Sequence, residues 1–307
     1  MAKILIKTEA SAPSAPGAGY GLLYPLSTDK ILRFVDQDGV SVLLTGGSLY
    51  KPTGRLTLTT ATPVTTADVT AAGTLYYTPY NGDMLPLWNG TKWVPYSFSE
   101  LSLSLAGYTA NKPYDIWVYD NVGTLALDKT IWTNDTTRAT ALALQSGVKV
   151  KSGDASRRYA GTIYTDAAGA ACTDSLIRRG VWNYYNRVPR KMGVREVTGH
   201  TYSGAWRKWN NSDTNNLFTW VVGVAEDTIE YTTHSQLSQT GVEETQVYLD
   251  GVGLDFLSLT TNPANDTASN SGLFVPSSGK HILQTWEYGD AASSGFLDNR
   301  MSLLVYG

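Results

Sequence analysis

Charge is scarce in this sequence: Lys, Arg, Asp and Glu make up 17% of its 307 residues, against roughly 25% in average soluble proteins. Cysteine is nearly absent, since Cys172 is the only one. An intrachain disulfide and a paired-cysteine metal site are therefore both excluded, and the fold must rest on packing or on association with other chains. No apolar run approaches the roughly 20 residues of a membrane-spanning helix, so no membrane insertion is expected. The opening "MAKILIKTEASAPSAPGAGYG" has a three-residue apolar island, whereas a secretory signal needs about 7–15 apolar residues. The three histidines, His200, His234 and His281, share no metal-ligand spacing. No glycine run has the lysine and following helix of a phosphate-cradling loop. No cofactor and no metal are expected, and no catalytic residues can be picked out.

What fills the gap is threonine, glycine, tyrosine and tryptophan, a shift toward strands and turns. Leu22–Tyr24, Ile31–Val35 and Val40–Leu44 read as three short strands separated by "STDK" and "DQDG", both with turn chemistry. Leu22, Tyr24, Ile31 and Phe34 are the apolar candidates for anchoring or assembly in such a module. Further on, short strands recur with turn signals between them, and strand–helix alternation is missing. "NDTTRATALALQSG", Asn134 to Gly147, is the one helix candidate, with a polar cap and a glycine past its end. The fold class is therefore all-β. A small N-terminal β-module over residues 1–50 precedes an antiparallel β-sandwich or jelly-roll body with at most one short helix. The body divides at about residue 200 into residues 51–200 and residues 201–307, the latter either a separate part or continuous with the former.

The segment "TLYYTPYNGDMLPLWNGTKWVPY", Thr74 to Tyr96, is dense in rings. Its Asn81-Gly82 and Asn89-Gly90 pairs suit tight hairpin turns, and Tyr76, Tyr80, Trp88 and Trp93 then read as sandwich filling rather than as a sugar-binding face. Acidic pairs at Glu226-Asp227 and Glu243-Glu244 could serve glycoside hydrolysis, but sequence spacing selects none of them. The better candidate for a ligand surface is "YSGAWRKWNNSDTNN". There Trp206, Arg207, Trp209 and Asn210 set rings beside a base and an amide, as suits a glycan. The bland alternative has Trp206 packed inward and Trp209 facing a loop. For "WNYYNRVPR", Trp182, Tyr184 and Tyr185 read as packing, with the arginines meeting acids. Charge is also uneven along the chain. Residues 149–208 hold 12 bases against 4 acids, and residues 209–307 hold 2 bases against 12 acids. Such a block suits either a polyanion surface or pairing between the two regions. The pairing is the simpler reading, and no nucleic-acid partner is expected.

Arg55 to Leu127, followed by "TNDTTRATALALQSGVKVKSGDASRRYAGTIYT" and "VWNYYNRVPR", resembles a segment of tailed-bacteriophage structural proteins. Residues 10–47, with "APSAPGAGYGLLYPLSTDKILRFVDQDGVSVLLTGG", resemble the N-terminal β-module of phage fibre and head-fibre proteins. The resemblance implies a non-enzymatic virion component of tail-fibre or head-fibre type, a homotrimer held to other virion proteins by its N-terminal module. A host-surface glycan is the external partner to which the ring-and-base stretch around Trp206 points. A capsid decoration protein and a virion-attached polysaccharide-degrading enzyme are the alternatives.

Overall fold

The strand Ile229–Leu237 shows on a small scale how this chain folds. Ile229, Tyr231, Thr233, Ser235 and Leu237 are buried, while Glu230, Thr232 and His234 are exposed. β-Branched and aromatic residues at period two fit a pleated sheet with one wet face. The computed structural model describes residues 11, 13–14, 22–25, 32–35, 41–43, 51–238, 242–261, 266–291 and 294–307. Among these the protein is all-β, and the one helical element is a 3-10 turn at Trp209–Asn211.

The chain divides into two compact units, Met1–Lys51 and Pro52–Gly307. In the first, Leu22–Pro25, Leu32–Val35 and Ser41–Leu43 form a three-stranded antiparallel meander. Tyr24 and Val35 are buried there, whereas Leu22 and Leu23 are exposed. Phe34 lies on the middle strand in register with Leu23. Ile31, the fourth candidate for assembly, lies outside the described residues.

The second unit is a β-sandwich body. In its first half the strands Gly54–Thr57, Thr74–Pro79 and Leu101–Ser104 form one sheet, and Met84–Trp88 pairs with Trp93–Ser97 as a hairpin. They share a core with a six-stranded sheet built on Pro113–Asn121 and Asp154–Tyr164. The filling is Leu75, Tyr77, Leu85, Leu87 and Phe98 against Ile116, Val118 and Ile163. This corrects the expectation for Tyr76, Tyr80, Trp88 and Trp93, which are all only half-buried. Strand alternation sends one set of side chains inward, and the leucines and Tyr77 hold that set. The Asn81-Gly82 pair does not close a hairpin either, because its flanking strands belong to different sheets.

In the second half a five-stranded sheet runs in the order Pro189–Glu196, Gly295–Tyr306, Ile229–Leu237, Asp266–Phe274, with His200–Thr201 beside Gly295–Tyr306. It packs on an eight-stranded sheet centred on Val242–Leu249, Gly279–Gly289 and Leu217–Val222. Met192, Tyr231, Met301 and Leu303 meet Phe218, Trp220, Val247 and Leu283 between them. Burial of each large apolar side chain contributes about 1.5–3 kcal/mol. Such cores stand in for the missing disulfides.

The halves are sewn together. The eight-stranded sheet also takes in Val69–Ala72, Cys172–Asp174 and Arg178–Arg179, the last pairing parallel with Leu217–Val222. Trp117, Tyr159 and Trp182 pack against Val221 across the junction. A Cβ on Gly223 would run into the Tyr159 hydroxyl and the Trp182 ring, so a glycine is what lets the backbone approach. Arg138 crosses the same junction, with Nε 2.8 Å from Asp115 Oδ2 and Nη2 donating to the Gly223 carbonyl.

The helix expected over Asn134–Gly147 does not form. Asn134 Oδ1 accepts from the Thr136 N–H at 2.9 Å, which makes a side-chain turn instead of a cap. Leu142–Gln145 then pairs with Val148–Lys151. Ser146 and Gly147 take positive φ of 51° and 81°, the two-residue turn that matches strand twist. The glycine that suggested a helix end therefore closes a hairpin.

Candidate functional site

The strand Gly279–Gly289 lies between Val242–Leu249 and Gly204–Lys208. His281, Leu283, Thr285 and Glu287 are buried on its inner face, so Trp286 and Tyr288 stand on the other. Gln246 and Lys208 flank Trp286 in register. Tyr248 stacks on Trp286 with ring centroids 4.1 Å apart and planes 14° from parallel. Trp206 continues the row, 6.5 Å from Tyr248 and 5.7 Å from Tyr288. All four rings are half-buried, so none is spent on a core.

The end of this row walls a cleft of about 390 Å³. Tyr248, Trp286 and Lys208 line one side, Ile282 and Gln284 lie along the strand, and Asp250 and Asp135 stand among the remaining lining residues. Asp250 and Gly251 form a tight turn with φ of 53° and 83°. The Asp250 carboxylate fixes that turn, since Oδ1 accepts from the Ile282 N–H and Oδ2 contacts His281 Nδ1, both at 2.7 Å. The Asp135 carbonyl accepts from the Lys280 N–H at 2.9 Å, which ties a loop of the first half to the cleft. Gln284 Nε2 donates to the Ser212 and Asn215 carbonyls at 2.9 and 3.1 Å, and its amide oxygen is left as an acceptor. Burial raises the Tyr248 hydroxyl above its ordinary value, so it stays a neutral donor. An aromatic wall with hydroxyl, amide and carboxylate groups around it is suited to a sugar, whose ring has apolar C–H faces and a polar rim.

Only one of the four ring-and-base candidates stands on this outer face. Trp206 stands in the outer row. Trp209 is fully buried among His200, Leu237 and Phe296. The two tryptophans thus exchange the places the bland reading gave them, and Trp209 is corrected from ligand surface to core. The reason is local: the strand stops at Lys208, and Asn210 takes φ 52° in the turn that follows, which carries Trp209 to the inner side. Arg207 is also committed. Its Nε lies 2.7 Å from Glu287 Oε1, and its guanidinium lies 3.5 Å over the Tyr202 ring. Glu287 has no exposure and also contacts His200 Nε2 at 2.7 Å and the Asn210 N–H at 3.2 Å. Asn210 therefore serves the turn and this carboxylate. Tyr248, Trp286 and Tyr288 were missed by the sequence reading. The signal for Trp286 and Tyr288 was available in "QTWEY", where two rings spaced two apart flank an acid in a strand.

The other candidates resolve simply. The basic block meets the acidic third through Arg187 with Glu226 and Asp227, Arg195 with Asp298, Arg207 with Glu287, and Lys208 with Asp213. Cys172 is buried, and burial pushes its thiol up. Among the described residues no group of three or more His, Cys, Asp or Glu side chains could hold a metal ion.

No family model and no curated protein matches this chain. Among solved structures, it is similar to the insecticidal delta-endotoxin Cry8Ea1 of Bacillus thuringiensis at 8% identity and TM-score 0.28, covering 83% of this chain and 52% of that one. It is similar to a family 35 carbohydrate-binding module from an environmental isolate at 14% identity and TM-score 0.22, covering 36% and 90%. It is similar to the infectious bursal virus-derived T=1 particle protein at 11% identity and TM-score 0.29, covering 84% and 67%. The chain thus spans about half the length of the endotoxin. At such TM-scores none of these likenesses bears on function.

Proposed function

We propose that this protein is a non-enzymatic appendage of a tailed-bacteriophage particle, of tail-fibre or head-fibre type, whose body holds a host-surface glycan beside Trp286. The observation that carries the binding part is the row Tyr288, Trp206, Tyr248 and Trp286, half-exposed on a sheet face and ending in a polar cleft. The virion part is supported by the resemblance of residues 10–47 and 55–190 to phage structural proteins. In this reading the N-terminal meander, with Leu22 and Leu23 exposed, anchors the chain to other virion proteins, and the assembled form is a homotrimer.

The test combines two measurements. Host surface polysaccharide immobilised on beads is expected to retain the protein, and Trp286→Ala is expected to weaken retention by about tenfold, the scale of one lost aromatic contact. A label on the N-terminus is expected at the particle-proximal end of an appendage by electron microscopy. Retention by no host polysaccharide, together with no label on particles, would end the proposal. Label scattered over the capsid shell would turn it into the decoration-protein reading.

One observation favours a second reading. Asp135 and Asp250 line the same cleft, and glycoside hydrolysis uses two carboxylates roughly 5–10 Å apart. The two contacts that hold Asp250 support a fixed turn instead of a proton carrier. New reducing ends in polysaccharide incubated with the protein, lost in Asp250→Asn, would favour the enzyme.

A further inference from the structure

The ring-rich hairpin of the first half borders a second cleft, of about 490 Å³. Trp88 and Tyr96 line it from the hairpin Met84–Ser97, and Asp120, Asp154 and Ser156 line it from the six-stranded sheet. Trp88 is held by its cross-strand neighbour Trp93, edge to face at 5.8 Å and 62°. The loop between them is fixed by Asn89, whose Oδ1 accepts from the N–H groups of Thr91 and Lys92 at 3.0 and 2.9 Å. The half-buried Trp88 ring is thus braced, with part of its surface left to the cleft.

The carboxylates are also held in place. Asp120 Oδ2 accepts from the Tyr96 hydroxyl at 3.2 Å, and Oδ1 from the Gly123 N–H at 2.7 Å. Asp154 Oδ1 accepts from the Ser156 N–H at 3.1 Å and from its hydroxyl at 2.5 Å. Each carboxylate oxygen has room for about two acceptor bonds, so Asp120 in particular keeps acceptor capacity. Arg157, which contacts Asp154, is shared between Asp154 and Asp128 and lies 4.6 Å over the Tyr119 ring. It does not line the cleft, and neither does any lysine or other arginine.

We propose that this cleft is a second glycan site, one that takes an uncharged saccharide unit. Trp88 supplies the stacking surface, and the two carboxylates accept charge-assisted bonds from the sugar's hydroxyls. An anionic sugar would face Asp120 and Asp154 with no cation among the lining residues. The cleft beside Trp286 differs, because Lys208 and Lys280 line it. The inference rests on the glycan-binding reading for its class of ligand and on no residue of the first cleft. With both sites filled by one polymer, binding gains by effective concentration.

The test uses the full chain with its nine tryptophans replaced by 5-fluorotryptophan, and follows fluorine signals assigned by Trp→Phe variants. The probes are hexasaccharides of glucose, of galactose and of N-acetylglucosamine, with hexagalacturonate and choline as charged comparisons. The expected result is a saturable shift of the Trp88 signal with at least one uncharged hexasaccharide at millimolar concentration. Asp120→Asn is expected to weaken it severalfold. A Trp88 signal that no uncharged probe moves overturns the proposal, as does one that responds more strongly to hexagalacturonate or to choline. Movement at Trp286 alone leaves the first cleft standing without the second. Movement at Trp88 alone does the reverse.

Discussion

Glu287 sits unexposed between Arg207 and His200, and that burial decides what substitutions nearby will do. Arg207→Ala removes one partner of a carboxylate that cannot reach water. Breaking a buried pair costs about 3–5 kcal/mol, and because His200 remains, the lower end is expected. Equilibrium urea unfolding would measure it, with glycan retention per folded molecule unchanged. A ligand role for Arg207 would give the opposite pattern. The sequence made Arg207 and Trp209 attractive because rings beside bases suit glycans. It could not show that a buried glutamate eighty residues later claims the arginine, since that pairing depends on the register of two strands. The turn that buries Trp209 was faintly legible in Asn210-Asn211, a doublet that tolerates positive φ.

Elements were more legible than residues. The Asn89-Gly90 loop closes the hairpin expected of it. The misread stretch was Asn134–Gly147, where good helix formers such as Ala and Leu stand in a strand pair. Its partner Val148–Lys151 and the long strand Asp154–Tyr164 supply the sheet edge that overrides local propensity. Gly147→Ala tests the turn. No atom lies within 4 Å of the added methyl, so the whole cost is the left-handed backbone, about 1–2 kcal/mol. Thermal melting of the variant should show that loss, and Gly147→Asn should recover part of it, because asparagine tolerates this conformation. The cleft itself could not be read at this level. Its walls come from four separate stretches, Asp135–Thr136, Lys208, Tyr248–Gly251 and Lys280–Trp286.

At the scale of the whole molecule, the charge asymmetry turned out to be a record of internal pairing, as the simpler reading had it. It also sets a pH limit. Hydrogen bonds from Arg195, with Arg300 beside it, hold the Asp298 carboxyl below its ordinary range, and bonds from Thr198 do the same for Glu196. For Glu100, burial pushes upward, but bonds from Thr60, Thr78 and the Ala61 N–H outweigh it. A depressed folded value means the stabilisation is present at neutral pH. It is lost as pH falls below about 4, through the folded values. Melting temperature should therefore drop on acidification, and Asp298→Asn should flatten that drop while lowering the neutral-pH value. Cys172 offers a second global measurement. Its buried thiol should resist a disulfide reagent in the native protein and react only as fast as the body opens. Rapid labelling without denaturant would mean that the sheet around the strand Cys172–Asp174 opens on its own.

The order of strands also has a consequence for how the chain is made. Gly295–Tyr306 is not an edge strand: it lies between Pro189–Glu196 and Ile229–Leu237 and pairs with both. A ribosome therefore delivers the flanks of that sheet long before the strand that joins them. Val69–Ala72, delivered earlier still, finds its place in a sheet whose centre, Gly279–Gly289, emerges long after it. Until residue 306 is clear of the exit tunnel, the second half presents unpaired strand edges to every other nascent copy. Neighbouring copies then compete for the same edges, so the yield of folded protein should depend on how closely ribosomes follow one another along the message.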